Sequence, residues 1–224
     1  MAELILNQRP YPRDLGKIVC VGRNYAAHAK ELNNPIPSSP ILFIKPASSA
    51  VPFGPVFSIP KDQGSVHHEL EIAILIGKAL SRASTEQVAE SIAGIGLGLD
   101  LTLRDVQDQL KEKGHPWERA KSFDGACPLT EFVAVNLASE DEWQAIGLTL
   151  EKNGQFQQQG SSAEMLFPIL PLIAHMSEHF SLQPGDVILT GTPAGVGPLE
   201  VGDSLSAKLS LEDNVLLTCD GVVI

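Results

Sequence analysis

Glu69-Leu70-Glu71-Ile72-Ala73-Ile74-Leu75-Ile76-Gly77 is the stretch on which the fold turns. It reads as a strand whose two acidic side chains, set two apart at its start, share one face. Upstream, Ile18 to Val21 and Ile41 to Ile44 are short apolar runs bounded by Gly, Lys and Pro, the pattern of buried strands. Between them Asn24 is placed to cap a helix running from Tyr25 to Leu32, which Asn33-Asn34-Pro35 would end before a Pro-Ile-Pro-Ser-Ser-Pro loop. Downstream, Ser84 with Gln87 spells a capping box ahead of Val88 and Ile92, and Thr102 with Asp105 gives a related signal ahead of Val106 and Leu110. The Gly-rich apolar run from Ile92 to Leu101 then reads as a tightly packed strand that delivers Asp100 to its end. Asn153-Gly154, between Ala145 to Leu150 and Gln155 to Gln158, is a strong hairpin signal. Ile169, Leu172, Ile173, Met176 and Phe180 keep helical spacing, with Pro171 tolerable in a first turn. From Asp186 onward short strands alternate with tight turns. Strands outnumber helices and no βαβ rhythm persists, so the expected fold is α+β and mainly β, in one domain over residues 1–224.

Composition narrows the function. The 224 residues, 43% hydrophobic and 19% charged, are enough for a sizeable core. No apolar run approaches the roughly 20 residues of a membrane span, and the N-terminus lacks a secretory pattern, so no membrane partner and a cytoplasmic location are expected. Cys20, Cys127 and Cys219 are odd in number and widely spaced, which suits buried, reduced thiols. A net charge of −11 without any basic run argues against nucleic acid. Gly191 to Gly197 lacks the Gly-Lys-Ser/Thr of a phosphate loop, Gly94-x-Gly96-x-Gly98 fails as a dinucleotide fingerprint, and no Gly-x-Ser-x-Gly elbow is present.

The carboxylates of Glu69 and Glu71 repel one another unless a cation lies between them, and a hard ion such as Mg²⁺ takes oxygen ligands while keeping positions open. Asp100, deep in an apolar run, is the natural third ligand, since a buried carboxylate is costly unless paired or metal-bound. Taken alone, Glu-x-Glu fits a solvated edge strand better, with Asp100 capping the next helix. His67 and His68 could join the ligands and favour Zn²⁺ or Mn²⁺, although a structural or supporting role suits them better.

Five segments resemble the fumarylacetoacetate hydrolase family, in that family's order and over residues 18 to 197. They are Val19-Cys20-Val21-Gly22-Arg23-Asn24-Tyr25 with His28; Ser65-Val66-His67-His68-Glu69-Leu70-Glu71; Gly98 to Gln107; Ala120-Lys121-Ser122-Phe123-Asp124; and Leu189-Thr190-Gly191-Thr192-Pro193 with Gly195 and Gly197. The spelling is most similar to the acylpyruvate hydrolase and oxaloacetate decarboxylase branch. The resemblance implies a mixed β-sandwich roll with a few peripheral helices, residues 1–17 being a short N-terminal extension, and a homodimer. It implies Mg²⁺, with Mn²⁺ or Ca²⁺ as substitutes, held by Glu69, Glu71 and Asp100. It also implies a His28–Glu31 dyad on a lid, Lys121 as a catalytic cation, and a substrate site drawing on Arg23, Gln107, Gly191 and Thr192. The larger members carry an additional N-terminal domain that is not seen in this sequence.

A 2-oxo or diketo acid would chelate such a cation through its carboxylate and keto oxygen, and cleavage between carbons 3 and 4 would leave the pyruvate enolate. His28 suits a base for an attacking water, oriented by Glu31 three residues on, and Lys121 would add positive charge at the oxyanion. Acylpyruvate hydrolysis and oxaloacetate decarboxylation are the leading reactions on this reading. A keto–enol tautomerase using the same enolate stays open, as does a silent protein that only binds metal or a small acid.

Overall fold

The computed structural model describes residues 3–32 and 34–224. Asn33, part of the expected helix terminator, lies outside the described residues.

Leu70–Ile76 is buried along its whole length, and it lies inside a seven-stranded mixed sheet. It pairs antiparallel with Val187–Leu189 on one side and Ile92–Leu99 on the other. Ile18–Gly22 joins Val187–Leu189 in parallel and carries Ile41–Lys45, while Cys127–Leu129 and Ala50–Pro52 extend the far edge. A strand covered on both faces needs apolar residues at every position. Leu70, Ile72, Ile74 and Ile76 accordingly enter one core cluster, and Ala73 and Leu75 another.

A second sheet, of five strands, is built on the Ile146–Lys152 and Gln155–Ser161 hairpin, with Ser204–Leu211, Asn214–Val223 and Val56–Phe57. Asn153 and Gly154 turn it with φ of 54° and 74°, the doubly left-handed turn that their sequence demands. The fold is thus mainly β with short peripheral helices, as expected from the sequence. No helix among the described residues is long and apolar enough to cross a membrane.

Three local expectations are corrected. Asn24 does not cap the helix, which runs Ala26–Glu31 after Tyr25. Its side chain instead accepts from Phe167 N and donates to Phe167 O and Thr190 O. Thr102 and Asp105 leave the Arg104–Glu112 helix without a side-chain cap, because Thr102 turns to Asp100 O and Lys121, and Asp105 accepts from Ser65 N. The Ser84–Gln87 capping box forms, yet its helix, Thr85–Ala89, stops short of Ile92, where the next strand begins. The N-terminal residues are also part of the packing: Leu4 and Leu15 are buried, and Lys17 pairs with Asp186. Cys20 and Cys127 are buried free thiols, burial pushing Cys127 up to about 12, whereas Cys219 is half-buried.

Candidate active site

Glu69 occupies the one-residue break between the Val66–His68 and Leu70–Ile76 strands. Its carbonyl accepts from Asp100 N at 2.8 Å, so the main chain sets Asp100 alongside it as the Ile92–Leu99 strand ends. Gly98 stands directly opposite Glu71 in that pairing, its own face closed over by Leu189 and Leu129. The ligand oxygens of Glu69, Glu71 and Asp100 all lie within 4.8 Å of one another, and the three residues are almost wholly buried.

Three cations answer these acids. Lys121 donates to Glu69 Oε2 at 2.8 Å, Asp100 Oδ2 at 2.6 Å and Thr102 Oγ1 at 2.7 Å. Lys45, fully buried at the end of its strand, lies 2.8 Å from Asp100 Oδ1 and also donates to Lys121 O and Ala126 O. Arg104 pairs with Glu69 Oε1 and donates to Gln107 Oε1 at 2.7 Å, which leaves the Gln107 NH₂ uncommitted to that bond. Glu71 has no such partner among the described residues; it accepts only from Gly191 N, at 2.6 Å.

The titration pattern follows this layout. Burial alone would raise Glu69, but Lys121 and Arg104 outweigh it and hold Glu69 below the usual carboxylate range. Burial, with the charges of Asp100 and Glu69 added, pushes Glu71 well up. Lys121 is raised despite burial because Asp100 and Glu69 surround it. Burial is the main force lowering His67 and His68, which stay neutral and outside the acid cluster.

The donor set fits a hard divalent cation: it is oxygen only, convergent and buried, and it includes one carboxylate with no cationic side chain against it. A measurable consequence concerns protons. A folded value for Glu71 above its unfolded one gives stability that is complete below about 4.5, its ordinary value, and is lost as pH rises through the folded value. Glu69 is shifted the other way, so its contribution is already constant in that window. Where Glu71 is still protonated, cation binding displaces that proton, so affinity for Mn²⁺ is expected to rise with pH. Calorimetric titration in buffers of different ionisation heat reads that proton directly; binding without proton release would contradict the assignment.

Of the ten residues singled out from the sequence, all but Glu31 and Gly191 line one cleft. Glu31 stands behind His28, its Oε2 3.3 Å from His28 Nδ1, and its Oε1 accepts from Gly195 N at 3.0 Å. Gly191, expected at the substrate, has its N–H on Glu71 instead. Its φ of 95° and the 2.6 Å that would separate an added Cβ from Asn24 Cβ restrict this position to glycine. Arg23, at a φ of 59°, turns the chain from strand to helix at the cleft wall, where Lys111 adds another cation. Lys45, Lys121 and Arg104 all pair with Glu69 or Asp100, and with Arg23 and Lys111 beside them the cleft is positive in an acidic chain.

Sequence reading missed Lys45, Arg104 as an ion-pair partner, and Gln158. Gln158, almost fully buried in the second sheet, has all four hydrogen-bonding positions filled. Its Oε1 faces Leu70 N at 2.9 Å and His68 Nδ1 at 3.1 Å, and its Nε2 donates to Thr192 Oγ1 at 2.7 Å and Pro193 O at 3.0 Å. Each buried group left unpartnered costs about 1–3 kcal/mol. Gln158→Leu is accordingly expected to lower the denaturant midpoint clearly, with Gln158→Glu, which keeps the acceptor, between it and the parent. Equal midpoints would show that this hub carries no weight.

Comparison with known proteins agrees with the geometry. The family description "Fumarylacetoacetate (FAA) hydrolase C-terminal" matches residues 17–222. Oxaloacetate tautomerase YcgM of Escherichia coli is 51% identical over 196 residues, 88% of each chain. A fumarylacetoacetate hydrolase family protein of Yersinia pestis superposes with a TM-score of 0.93 at 45% identity over all of both chains. Fumarylpyruvate hydrolase of Pseudomonas aeruginosa, solved with Mn²⁺ and pyruvate, gives 0.86 at 30% identity over 100% of this chain and 97% of its own. With its motifs, its fold and these relatives in agreement, the chain belongs to the fumarylacetoacetate hydrolase family.

Proposed function

We propose that this chain interconverts the keto and enol forms of a small 2-oxo acid, oxaloacetate being the first candidate, with a divalent cation on Glu69, Glu71 and Asp100. The observation that carries this reading is the buried acid triad opening into a cleft whose remaining charge is positive, a setting for a small dianion. The 51% identical E. coli oxaloacetate tautomerase supports the choice of substrate. A bound Mg²⁺ or Mn²⁺ would act as a Lewis acid on the keto oxygen.

The chain's own residues account for the rest. Arg23 and the Gln107 NH₂ bind substrate oxygens, and Thr192 closes the opposite side. Lys121 places its ammonium where negative charge grows as the enolate forms. The contact between His28 Nδ1 and Glu31 assigns Nδ1–H to the carboxylate and leaves Nε2 to move a proton at carbon 3.

A second reading, cleavage of the bond between carbons 3 and 4, proceeds through the same enolate. The His28–Glu31 pair, suited to activating a water, and the likeness to the Pseudomonas fumarylpyruvate hydrolase favour it. The deciding experiment supplies oxaloacetate and acetylpyruvate with one metal and follows enol absorbance, pyruvate and CO₂ together. Tautomerisation predicts enol conversion without pyruvate or CO₂, lost with EDTA and restored by Mg²⁺ or Mn²⁺; activity indifferent to chelation would end both readings. His28→Ala is expected to lower cleavage by about 10²- to 10⁴-fold, the usual contribution of a general base. If tautomerisation is the reaction, His28→Ala is expected to depress it by a similar factor, because the same imidazole moves the proton at carbon 3.

We infer further that residues 1–224 form one catalytic unit working as a homodimer in the cytoplasm. Exposed Phe156, Val215 and Val222 on the second sheet support the dimer, and three free cysteines suit a reducing compartment. Light scattering reads the mass.

A further inference from the structure

The Ile169–His179 helix buries Ile169, Leu172, Ile173 and Met176 and turns another face outward. That face carries His175, Glu178 and His179, whose ligand atoms lie within 4.8 Å of one another. The imidazoles sit one turn apart, ring centroids 4.9 Å from each other, with Glu178 Oε2 3.8 Å from His175 Nδ1. Neither ring is engaged in a hydrogen bond with another element among the described residues.

We propose that His175 and His179, with Glu178 beside them, form a second metal site, separate from the acid triad and selective for imidazole-seeking d-block cations such as Zn²⁺, Cu²⁺ or Ni²⁺. Residues four apart on a helix lie on the same face, about 5–6 Å between Cβ atoms, so two imidazole nitrogens reach one ion about 2.0–2.1 Å from each. Imidazole suits Zn, Cu and Ni, whereas the oxygen-only triad suits Mg²⁺ and Mn²⁺, so the two sites sort ions by ligand chemistry. Position helps as well: His179 lies in the last turn, where unpaired helix carbonyls favour positive charge.

The spelling His-x-x-Glu-His is shared with the zinc helix of one class of metallopeptidases. Peptidase chemistry does not follow here. The face opens to solvent rather than to a substrate cleft, and no residue from another part of the described chain joins the cluster. The site binds, and leaves open coordination positions for water or for a donor from another molecule.

The test holds the protein in saturating Mg²⁺, to occupy the triad, and titrates Zn²⁺ calorimetrically. One equivalent is expected for the parent. His175→Gln and His179→Gln should each weaken binding at least about tenfold, a difference of 1.4 kcal/mol, and the double variant should remove it. Mg²⁺-supported oxaloacetate turnover is expected to stay at the parental level in the double variant, which also reports an intact fold. Cu²⁺ bound by the parent should show hyperfine splitting from two imidazole nitrogens. Zn²⁺ binding that survives the double substitution, or that is removed by Glu71→Gln instead, overturns the proposal, as does a Cu²⁺ spectrum without nitrogen coupling. These outcomes do not depend on which reaction the triad supports.

Discussion

In Glu71→Gln, Mn²⁺-dependent turnover of oxaloacetate is expected to fall by more than a hundredfold, while the metal-free protein melts no lower than the parent. Residues that merely support a metal ligand already change affinity or activity roughly 10- to 100-fold, so a ligand itself should cost more. The unchanged fold is the informative half. Glu71 is buried and its pKa is raised by burial and by Asp100 and Glu69, so in metal-free protein its neutral form is favoured. A glutamine of the same shape keeps an acceptor for Gly191 N and leaves no lysine or arginine without a partner. Mn²⁺ calorimetry and a thermal melt with and without metal decide the matter. Full activity would remove Glu71 from the ligand set, and a collapse in stability would make its role structural.

Lys121→Met is expected to show the opposite balance. Its ammonium lies between Glu69 and Asp100 and also bonds Thr102, so removal leaves two buried carboxylates short of positive charge. Breaking a buried pair in this way costs about 3–5 kcal/mol. Saturating Mn²⁺ should return part of the lost melting temperature by supplying charge at the same acids. Turnover should stay depressed by about 10²- to 10³-fold, the usual effect of deleting a group that stabilises a developing oxyanion. A metal-free melt unchanged from the parent would show that Lys121 is not needed to balance the acids.

Features set by neighbouring residues were legible in the sequence. Ser84 and Gln87 close a capping box within four residues, Asn153-Gly154 dictates its own turn, and Ile72 to Ile76 reads as a strand. Readings failed where a short polar side chain had a choice of partners. Asn24 and Thr102 are good caps in isolation, yet each satisfies groups brought in from distant segments. The same limit applied to the site. Glu69, Glu71, Asp100 and Lys121 were found through spacing and motif, whereas Lys45 stands in the sequence only as the residue that bounds an apolar run and is completely buried. Gln158, in a hairpin strand nearly ninety residues from its partner Leu70, has no local signature at all.

Asn24 has one more consequence, for how the His28 helix can move. Its side chain is pinned to Phe167 and Thr190, so the short Ala26–Glu31 segment has a fixed pivot at its N-terminal end. With a rise of about 1.5 Å per residue, His28 sits on a lever arm of about 6 Å and Glu31 on one of about 10 Å. Any tilt about that pivot displaces Glu31 more than His28, roughly in the ratio of the two arms, so the bond from Gly195 N–H to Glu31 is the contact it strains most. His28 and Glu31 ride on the same short helix, so a tilt carries their contact along with it and shifts the pair as one body relative to the buried acids.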